Sequence, residues 1–169
     1  MNVRFFADET DIGLARALDG LYGGVVHPGH SRLPEVPRGA NDDEWLEVVG
    51  RLGLVVLSRD GRIRYRPVEK RLWVRHRIRG FVLTGKGSQS TDRSLAVLSK
   101  HWNRISELVD ADVPGPWMYS VTDRGLRELE LHDRGRRRII GAQLASAPLD
   151  VDAEAVLDAS ASDVADASR

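Results

Sequence analysis

The sequence predicts an α/β fold of three layers, in which helices cover both faces of a central, mainly parallel sheet. Two observations lead to this prediction. Short apolar segments of strand length are followed directly by segments with helical periodicity, which is the pattern of βαβ units. One of the apolar segments, residues 54–57, has no polar interruption, as expected for a strand that is buried on both faces.

The individual elements are predicted from their apolar periodicity and from glycine and proline at their ends. Residues 3–7 form a first strand, and a helix with Leu14, Leu18 and Leu21 on its inner face ends at Gly23. The further predicted elements are a short strand at 25–27, a helix at 41–52, the buried strand at 54–57, a helix from Pro67 to about Arg77, a strand at 80–84, one longer helix with an apolar stripe from Leu95 to Val109, and a closing hairpin of residues 117–122 and 126–131.

The composition is that of a globular protein without thiol chemistry. The chain has 169 residues, of which 41% are hydrophobic, and this is enough for one good core. The absence of cysteine excludes disulfides, thiolate zinc sites and a cysteine nucleophile. No apolar run approaches the roughly 20 residues of a membrane span, and an acid comes too early for a signal peptide. We therefore expect a cytoplasmic protein.

The net charge of zero conceals two segments of opposite charge. Residues 148–169 contain six acids and one base, so this segment carries −5 and residues 1–147 carry +5. The acidic segment is rich in Ala, Ser and Asp and has no aromatic residue, which is typical of disorder. We expect a folded domain over residues 1–140 and a disordered acidic tail over residues 141–169. The tail either only improves solubility or competes weakly with a polyanion for the basic domain.

Three aspartates fall at the same edge of the predicted sheet. Asp8 follows the first strand, Asp60 follows the buried strand, and Asp42 opens the helix between them. Carboxyl ends of parallel strands and starts of the following helices share one edge, so we expect these side chains to converge. Each also has a simpler interpretation: Asp8 as a helix cap, Asp42 as a first-turn acid and Asp60 as a turn residue.

Converging carboxylates repel each other, and a divalent cation removes that cost. Two carboxylates about 4 Å apart repel by about 4 kcal/mol at an effective dielectric of about 20. Ligands that are all oxygen favour Mg²⁺ or Mn²⁺ over zinc, and such an ion neutralises phosphate charge and activates water. Residues 59–80 also contain nine Lys or Arg and two acids. Together these features indicate a metal-dependent site that acts on a polyanion.

Three motifs, in this order, resemble the PIN-like domain of VapC-type toxin ribonucleases: FFADE, NDDEWL and VVLSRDGRIRYRPVE. The resemblance covers residues 1–131. It implies a PIN-like three-layer fold and an endoribonuclease that uses Mg²⁺ or Mn²⁺. It also implies membership of a type II toxin–antitoxin pair, a cognate antitoxin protein as partner, and a possible homodimer. By position, it makes Asp8, Asp42 and Asp60 the catalytic metal ligands, and Ser58 the small hydroxyl residue that precedes the last of them.

A fourth acid is not found at the position that PIN domains use, near the end of the next strand. Glu69, from the helix after the buried strand, is one candidate for this role, and Asp92 is the nearest acid beyond the next strand. Glu9 and Asp43 are further auxiliary candidates, because each adjoins one of the three aspartates. With no fourth ligand, one metal would be held tightly and a second would arrive only with RNA.

Four arginines, Arg59, Arg62, Arg64 and Arg66, are the expected RNA-binding residues. The last three alternate, so in an extended segment their side chains would project to one side, toward phosphates. The simpler interpretation is a solvated basic surface.

Two other classes of function remain open. A receiver-type signalling domain also gathers acids at strand ends, and Asp8, Glu9, Asp60, Thr84 and Lys86 fit that scheme in part. It explains neither the basic stretch nor Asp42. The second alternative is a catalytically inactive nucleic-acid-binding or antitoxin-binding protein of the same fold. Loss of cleavage on substitution of Asp42 would separate the nuclease from both.

Overall fold

The computed structural model describes residues 3–85 and 90–131. Within these ranges one sheet has the strand order β2-β1-β3-β4-β5-β6. The strands are β1 Phe5–Ala7, β2 Val25–Val26, β3 Val55–Ser58, β4 Arg79–Leu83, β5 Trp117–Thr122 and β6 Gly125–Glu128. The first five run parallel, and β6 pairs antiparallel with β5 in a hairpin. This confirms the predicted mainly parallel sheet and its closing hairpin.

Five α-helices lie in the described part of the chain. They are α1 Ile12–Tyr22, α2 Asp42–Arg51, α3 Pro67–Arg75, α4 Thr91–Lys100 and α5 Trp102–Asp110. Two short 3₁₀ helices, Glu9–Asp11 and Gly61–Arg64, follow β1 and β3 at the carboxyl edge of the sheet.

Two hydrophobic clusters cover the two faces of the sheet. Phe5 and Phe6 are consecutive in β1 and point to opposite faces, because side chains alternate along a strand. The cluster that contains Phe5 includes side chains of α1, α4 and α5, and the cluster that contains Phe6 includes side chains of α2 and α3. All four residues of β3 are buried. The predicted three layers are therefore confirmed.

The single long helix predicted around residues 95–109 is wrong. The chain forms two helices, α4 and α5, which meet at His101 with φ −109° and ψ 9°. The apolar stripe nevertheless continues across the break, since Leu98, Trp102 and Ile105 belong to one cluster. Periodicity predicted which residues are buried, but it did not detect a bend that preserves the buried face.

The extended segment predicted for residues 62–66 is also wrong, because residues 61–64 form a 3₁₀ helix. The argument from alternation requires an extended backbone and does not apply to this segment. Two helices end earlier than predicted, α2 at Arg51 and α3 at Arg75. Leu21, which was predicted on the inner face of the first helix, is 61% exposed. The apolar side chains of Leu52 and Val68 are 44% and 58% exposed.

The compact unit that contains the sheet ends at Leu131. The predicted acidic tail, residues 141–169, lies outside the described residues. Among the described helices, none has the length and apolar character that a membrane crossing requires.

Candidate active site

Four carboxylates line one pocket at the carboxyl edge of the sheet, between β1, β3, α2 and α3. We call this the acidic pocket, and its acids are Asp8, Asp42, Asp60 and Glu69. Its volume is about 120 Å³. The other lining residues are Trp45, Leu46, Val56, Ser58, Ile63, Arg66, Leu72 and Trp73. The structure thus brings the three predicted aspartates to one pocket and adds Glu69 to them.

Asp8 comes directly after β1 and caps the 3₁₀ helix that follows. Its Oδ1 accepts a hydrogen bond from the Glu9 N–H at 2.6 Å, and its Oδ2 accepts one from the Thr10 hydroxyl at 3.1 Å. Burial raises the pKa of Asp8 above its ordinary value; these hydrogen bonds oppose the shift, and the charges of Asp11 and Asp42 add to it. The side chain of Asp8 therefore both caps the 3₁₀ helix and lines the acidic pocket.

Asp60 follows β3. This strand lies beside β1, and Leu57 is paired with Ala7. The two strands end level with each other, and this places Asp8 and Asp60 at the same edge. Ser58 is buried, and its Oγ accepts a hydrogen bond from the Asp60 N–H at 3.0 Å. The hydroxyl of Ser58 therefore stabilises the turn that presents Asp60.

An ion pair that the sequence did not indicate fixes this turn. The side chain of Asp11 is 2% exposed and accepts a hydrogen bond from the Arg59 N–H at 3.0 Å through Oδ2. Its Oδ1 accepts from Nε of the same arginine, whose Nη2 also donates to the Thr10 carbonyl at 2.9 Å. Asp11 thereby ties the end of β3 to the 3₁₀ helix after β1. It is a positioning residue for Asp8 and Asp60.

Asp42 is the first residue of α2, and its side chain is hydrogen-bonded to one member of an aromatic pair. The Trp45 indole N–H donates to Asp42 Oδ1 at 3.1 Å, and the Trp45 ring stacks on Phe6 with ring centroids 4.9 Å apart. A bond from the Asn41 N–H to Glu44 Oε2 at 3.0 Å supports the helix start. Asp42 is exposed at the helix start and reaches the acidic pocket from its rim.

Glu69 reaches the acidic pocket from the first turn of α3. Its Oε1 accepts a hydrogen bond from Arg66 Nη1 at 2.6 Å. Its Oε2 is buried and has no hydrogen-bond partner among the described residues. An unsatisfied buried oxygen of this kind costs free energy until a donor or cation meets it.

The remaining acidic candidates do not line the acidic pocket. Glu9 turns away and accepts a hydrogen bond from the Gly39 N–H at 2.9 Å. Asp43 binds His76 Nε2 at 2.7 Å, and this hydrogen bond holds the pKa of Asp43 below its ordinary value. Asp92 lies exposed in the first turn of α4, on the opposite face of the sheet. Asp43 joins α2 to α3 and has a structural role here.

The arginines predicted to bind RNA have different environments. Arg59 forms an ion pair with Asp11, and Arg66 forms one with Glu69. For Arg62 and Arg64 the structure describes the backbone only. On α3, Lys70 and the exposed Arg71 form no ion pair within the described part of the chain. They are the better candidates for a surface that meets phosphates.

The oxygen donors of the acidic pocket suit a hard divalent cation, but the carboxylates do not converge on one point. Among residues 3–85 and 90–131, no three His, Asp or Glu side chains are arranged so that they could hold a metal ion. Instead, Asp8 and Asp42 bond to neighbouring groups and Arg66 holds Glu69. All four acids offer oxygen, the donor that Mg²⁺ and Mn²⁺ prefer. The buried Oε2 of Glu69, which has no hydrogen-bond partner among the described residues, is suited to be a ligand of a cation.

Comparison with protein families gives a match over the amino-terminal part of the chain. Residues 3–85 match the model of a family described as a PIN-like domain. The matched range contains β1 to β4, α1 to α3 and every acid of the acidic pocket. PIN-like domains are generally nucleases. Neither the curated proteins nor the solved structures gave a match to this chain.

Proposed function

The chain carries a PIN-like domain, and we propose that it is a metal-dependent endoribonuclease that hydrolyses RNA phosphodiester bonds at the acidic pocket. One observation carries this proposal: four carboxylates from β1, α2, β3 and α3 line one pocket at the carboxyl edge of a parallel sheet. That edge is where open α/β sheets bind their ligands. A purely structural set of acids has no reason to share a pocket.

The residues that would hold Mg²⁺ or Mn²⁺ are Asp8, Asp42, Asp60 and Glu69. When bound, the ion supplies charge neutralisation for the phosphate and a more acidic water. The chain itself supplies position, because each acid stands on a different packed element. The apolar side chains of Leu46, Val56 and Leu72 form part of the pocket wall. They lower the local dielectric and so strengthen electrostatic interactions in the pocket.

Basic residues outside the pocket would hold the RNA backbone. Lys70 and Arg71 follow Glu69 directly on α3, so phosphates bound there lie within a few residues of the pocket. Contacts of this kind give affinity and salt dependence rather than sequence specificity.

The first test is cleavage of total RNA by the purified protein, with and without Mg²⁺ or Mn²⁺. We expect defined fragments only with metal, and loss of cleavage in Asp60→Asn and Asp42→Asn. Asp92→Asn is the matched control, because it makes the same change at an exposed acid on the opposite face of the sheet, and it should cleave normally. Metal-dependent RNA binding without cleavage would favour the inactive binder. Cleavage that persists in Asp42→Asn would exclude the proposed site.

We also propose, from the resemblance, that this nuclease is the toxin of a type II toxin–antitoxin pair and forms a homodimer. Expression of the chain alone should then arrest growth, and coexpression of the protein encoded beside it should relieve the arrest. Growth arrest that persists in Asp60→Asn would separate toxicity from cleavage and contradict the proposal. Sedimentation of the purified chain tests the dimer.

A further inference from the structure

The acidic pocket already contains a cation of its own. Arg66 is the only basic side chain among the described residues that line it, and its guanidinium lies 2.6 Å from Glu69 Oε1. The hydrogen bond to Glu69 raises the pKa of Arg66, and the charges of Glu69 and, more weakly, Asp60 act in the same direction. Arg66 therefore offsets part of the repulsion among four carboxylates.

The local backbone explains why Arg66 stands there. It is the residue before α3, with φ −91° and ψ 115°, and Pro67 follows it at the first helical position. Proline restricts the residue before it to such extended conformations, and Glu69 lies three residues later in the first turn. The side chain of Arg66 is 50% exposed, whereas that of Glu69 is 23% exposed. The arginine therefore borders open solvent, whereas the glutamate is mostly covered by protein.

We propose that Arg66 is a built-in competitor of the divalent cation: it holds Glu69 in the metal-free protein and must leave before Glu69 can bind the ion. This inference rests on the metal site of the proposed function. A dication bound at the free Oε2 of Glu69 would be strongly repelled by the guanidinium that holds Oε1 of the same carboxylate. Part of the intrinsic metal affinity of the pocket is therefore used to displace Arg66, and the protein binds metal more weakly than its four acids would allow. Arg66 is a positioning residue for Glu69.

The test is Mn²⁺ binding to the full chain, measured from the free-ion signal in electron paramagnetic resonance. Arg66→Gln should bind Mn²⁺ at least about tenfold more tightly than the natural protein, which corresponds to about 1.4 kcal/mol. Arg66→Lys keeps the charge without the planar fork and should lie between the two. In Arg66→Gln with Glu69→Gln the gain should disappear, because the released ligand is absent.

Arg104→Gln is the matched control. Arg104 forms the same i,i+3 pair with Glu107, at 2.8 Å, on the exposed surface of α5. Its loss should leave Mn²⁺ affinity unchanged. Circular dichroism confirms that each variant is folded, and the Lys variant provides a comparison if the Gln variant unfolds.

Two results would overturn the inference: Arg66→Gln binds Mn²⁺ no more tightly than the natural protein, or neither protein binds it. RNA cleavage is not a readout in this experiment. The expected Mn²⁺ pattern in a chain that cuts no RNA would refute the nuclease and leave the assignment of Arg66 intact. Metal-dependent cleavage with equal Mn²⁺ affinities would refute only the role of Arg66.

Discussion

At the scale of the residue, Asp8 holds a half-buried carboxylate close to Asp11 and Asp42. Its pKa is raised in the folded protein by burial, so the stability that the protonated form contributes is fully present below the unfolded pKa of about 3.9. That contribution is lost as the pH rises through the higher folded pKa. At neutral pH the ionised side chain is thus a cost to the metal-free fold.

We therefore expect Asp8→Asn to leave the melting temperature of the metal-free protein unchanged or higher at pH 7. Asparagine keeps an oxygen that can accept the Glu9 N–H, so the cap survives. Addition of Mn²⁺ should raise the melting temperature of the natural protein more than that of the variant. Thermal melts with and without Mn²⁺ measure both effects. A large drop in the metal-free variant would mean that capping outweighs repulsion at this residue.

Asp11 gives a prediction of opposite sign. Asp11→Asn removes a buried charge that pairs with the guanidinium of Arg59, which is 26% exposed. Loss of one partner of such a pair should lower the free energy of unfolding by about 3 kcal/mol. Urea denaturation measures this loss.

Asp110→Asn is the control for Asp11, since it breaks the exposed ion pair between Arg4 and Asp110, which are 37% and 65% exposed. This change should alter stability by no more than about 1 kcal/mol. Similar small losses in both variants would show that the Arg59–Asp11 pair does not fix the end of β3.

Asp8, Asp42 and Asp60 could be found from sequence because they follow strand ends or begin a helix. Asp11 could not, because an acid in the first turns after a strand is typical of ordinary helix starts. Its partner lies 48 residues away, and no local pattern links the two. Glu69 remained one of two candidates for the fourth acid, since only the packing of α3 against the sheet decides which of them reaches the pocket.

At the scale of the element, α2 packs closely at Gly50 against the residue that follows α3. A Cβ atom at this position would lie 2.1 Å from the carbonyl oxygen of His76, a backbone atom just past the end of α3. The side chain of Asp43 forms a hydrogen bond with the imidazole of the same histidine. Since α2 carries Asp42 and α3 carries Glu69, we expect a separation of the two helices to move these acids apart.

Gly50→Ala should destabilise the fold by about 2 kcal/mol or more, because the helices must separate to admit the methyl group. We expect RNA cleavage to fall with it. Gly20→Ala tests the same change in α1, where a Cβ meets no atom within 4 Å. There alanine should stabilise by about 0.5–1 kcal/mol. The two effects on urea unfolding should have opposite signs; a stabilising Gly50→Ala would contradict the close contact.

The existence and order of the elements could be predicted because each carries its own apolar period. The bend between α4 and α5 could not, since Leu98, Trp102 and Ile105 keep their helical spacing across it. The 3₁₀ helix at residues 61–64 was hidden for a similar reason. Alternating arginines indicate one face of a strand only when the backbone is extended. Residues 61–64 instead form a helical turn before α3.

At the scale of the whole molecule, the opposite charges of residues 1–147 and 148–169 give a prediction about the salt dependence of cleavage. A disordered tail, as the sequence predicts for residues 148–169, would visit the surface of the basic domain at an effective concentration near the millimolar range. Competition with RNA predicts that truncation after Ala147 speeds cleavage at low ionic strength. The two rates should converge at high salt, where the charges are screened. Initial rates at several salt concentrations measure this.

Equal rates at low salt would instead leave the tail as a device for solubility. A chain of the same length with neutral residues in place of the six acids is the control, because it keeps the tether and removes only the charge. This control should match the truncated protein in rate if charge is what competes.

Two of the four tryptophans, Trp45 and Trp73, line the acidic pocket. The other two, Trp102 and Trp117, belong to the cluster on the opposite face of the sheet. The indole N–H of Trp45 donates a hydrogen bond to Asp42. A ligand that moves this carboxylate therefore changes the environment of the ring. The protein thus carries its own optical probe: paramagnetic Mn²⁺ in the pocket should quench the emission of the two nearby indoles, and diamagnetic Mg²⁺ should shift it without quenching. Metal arrival could then be followed in real time without any label.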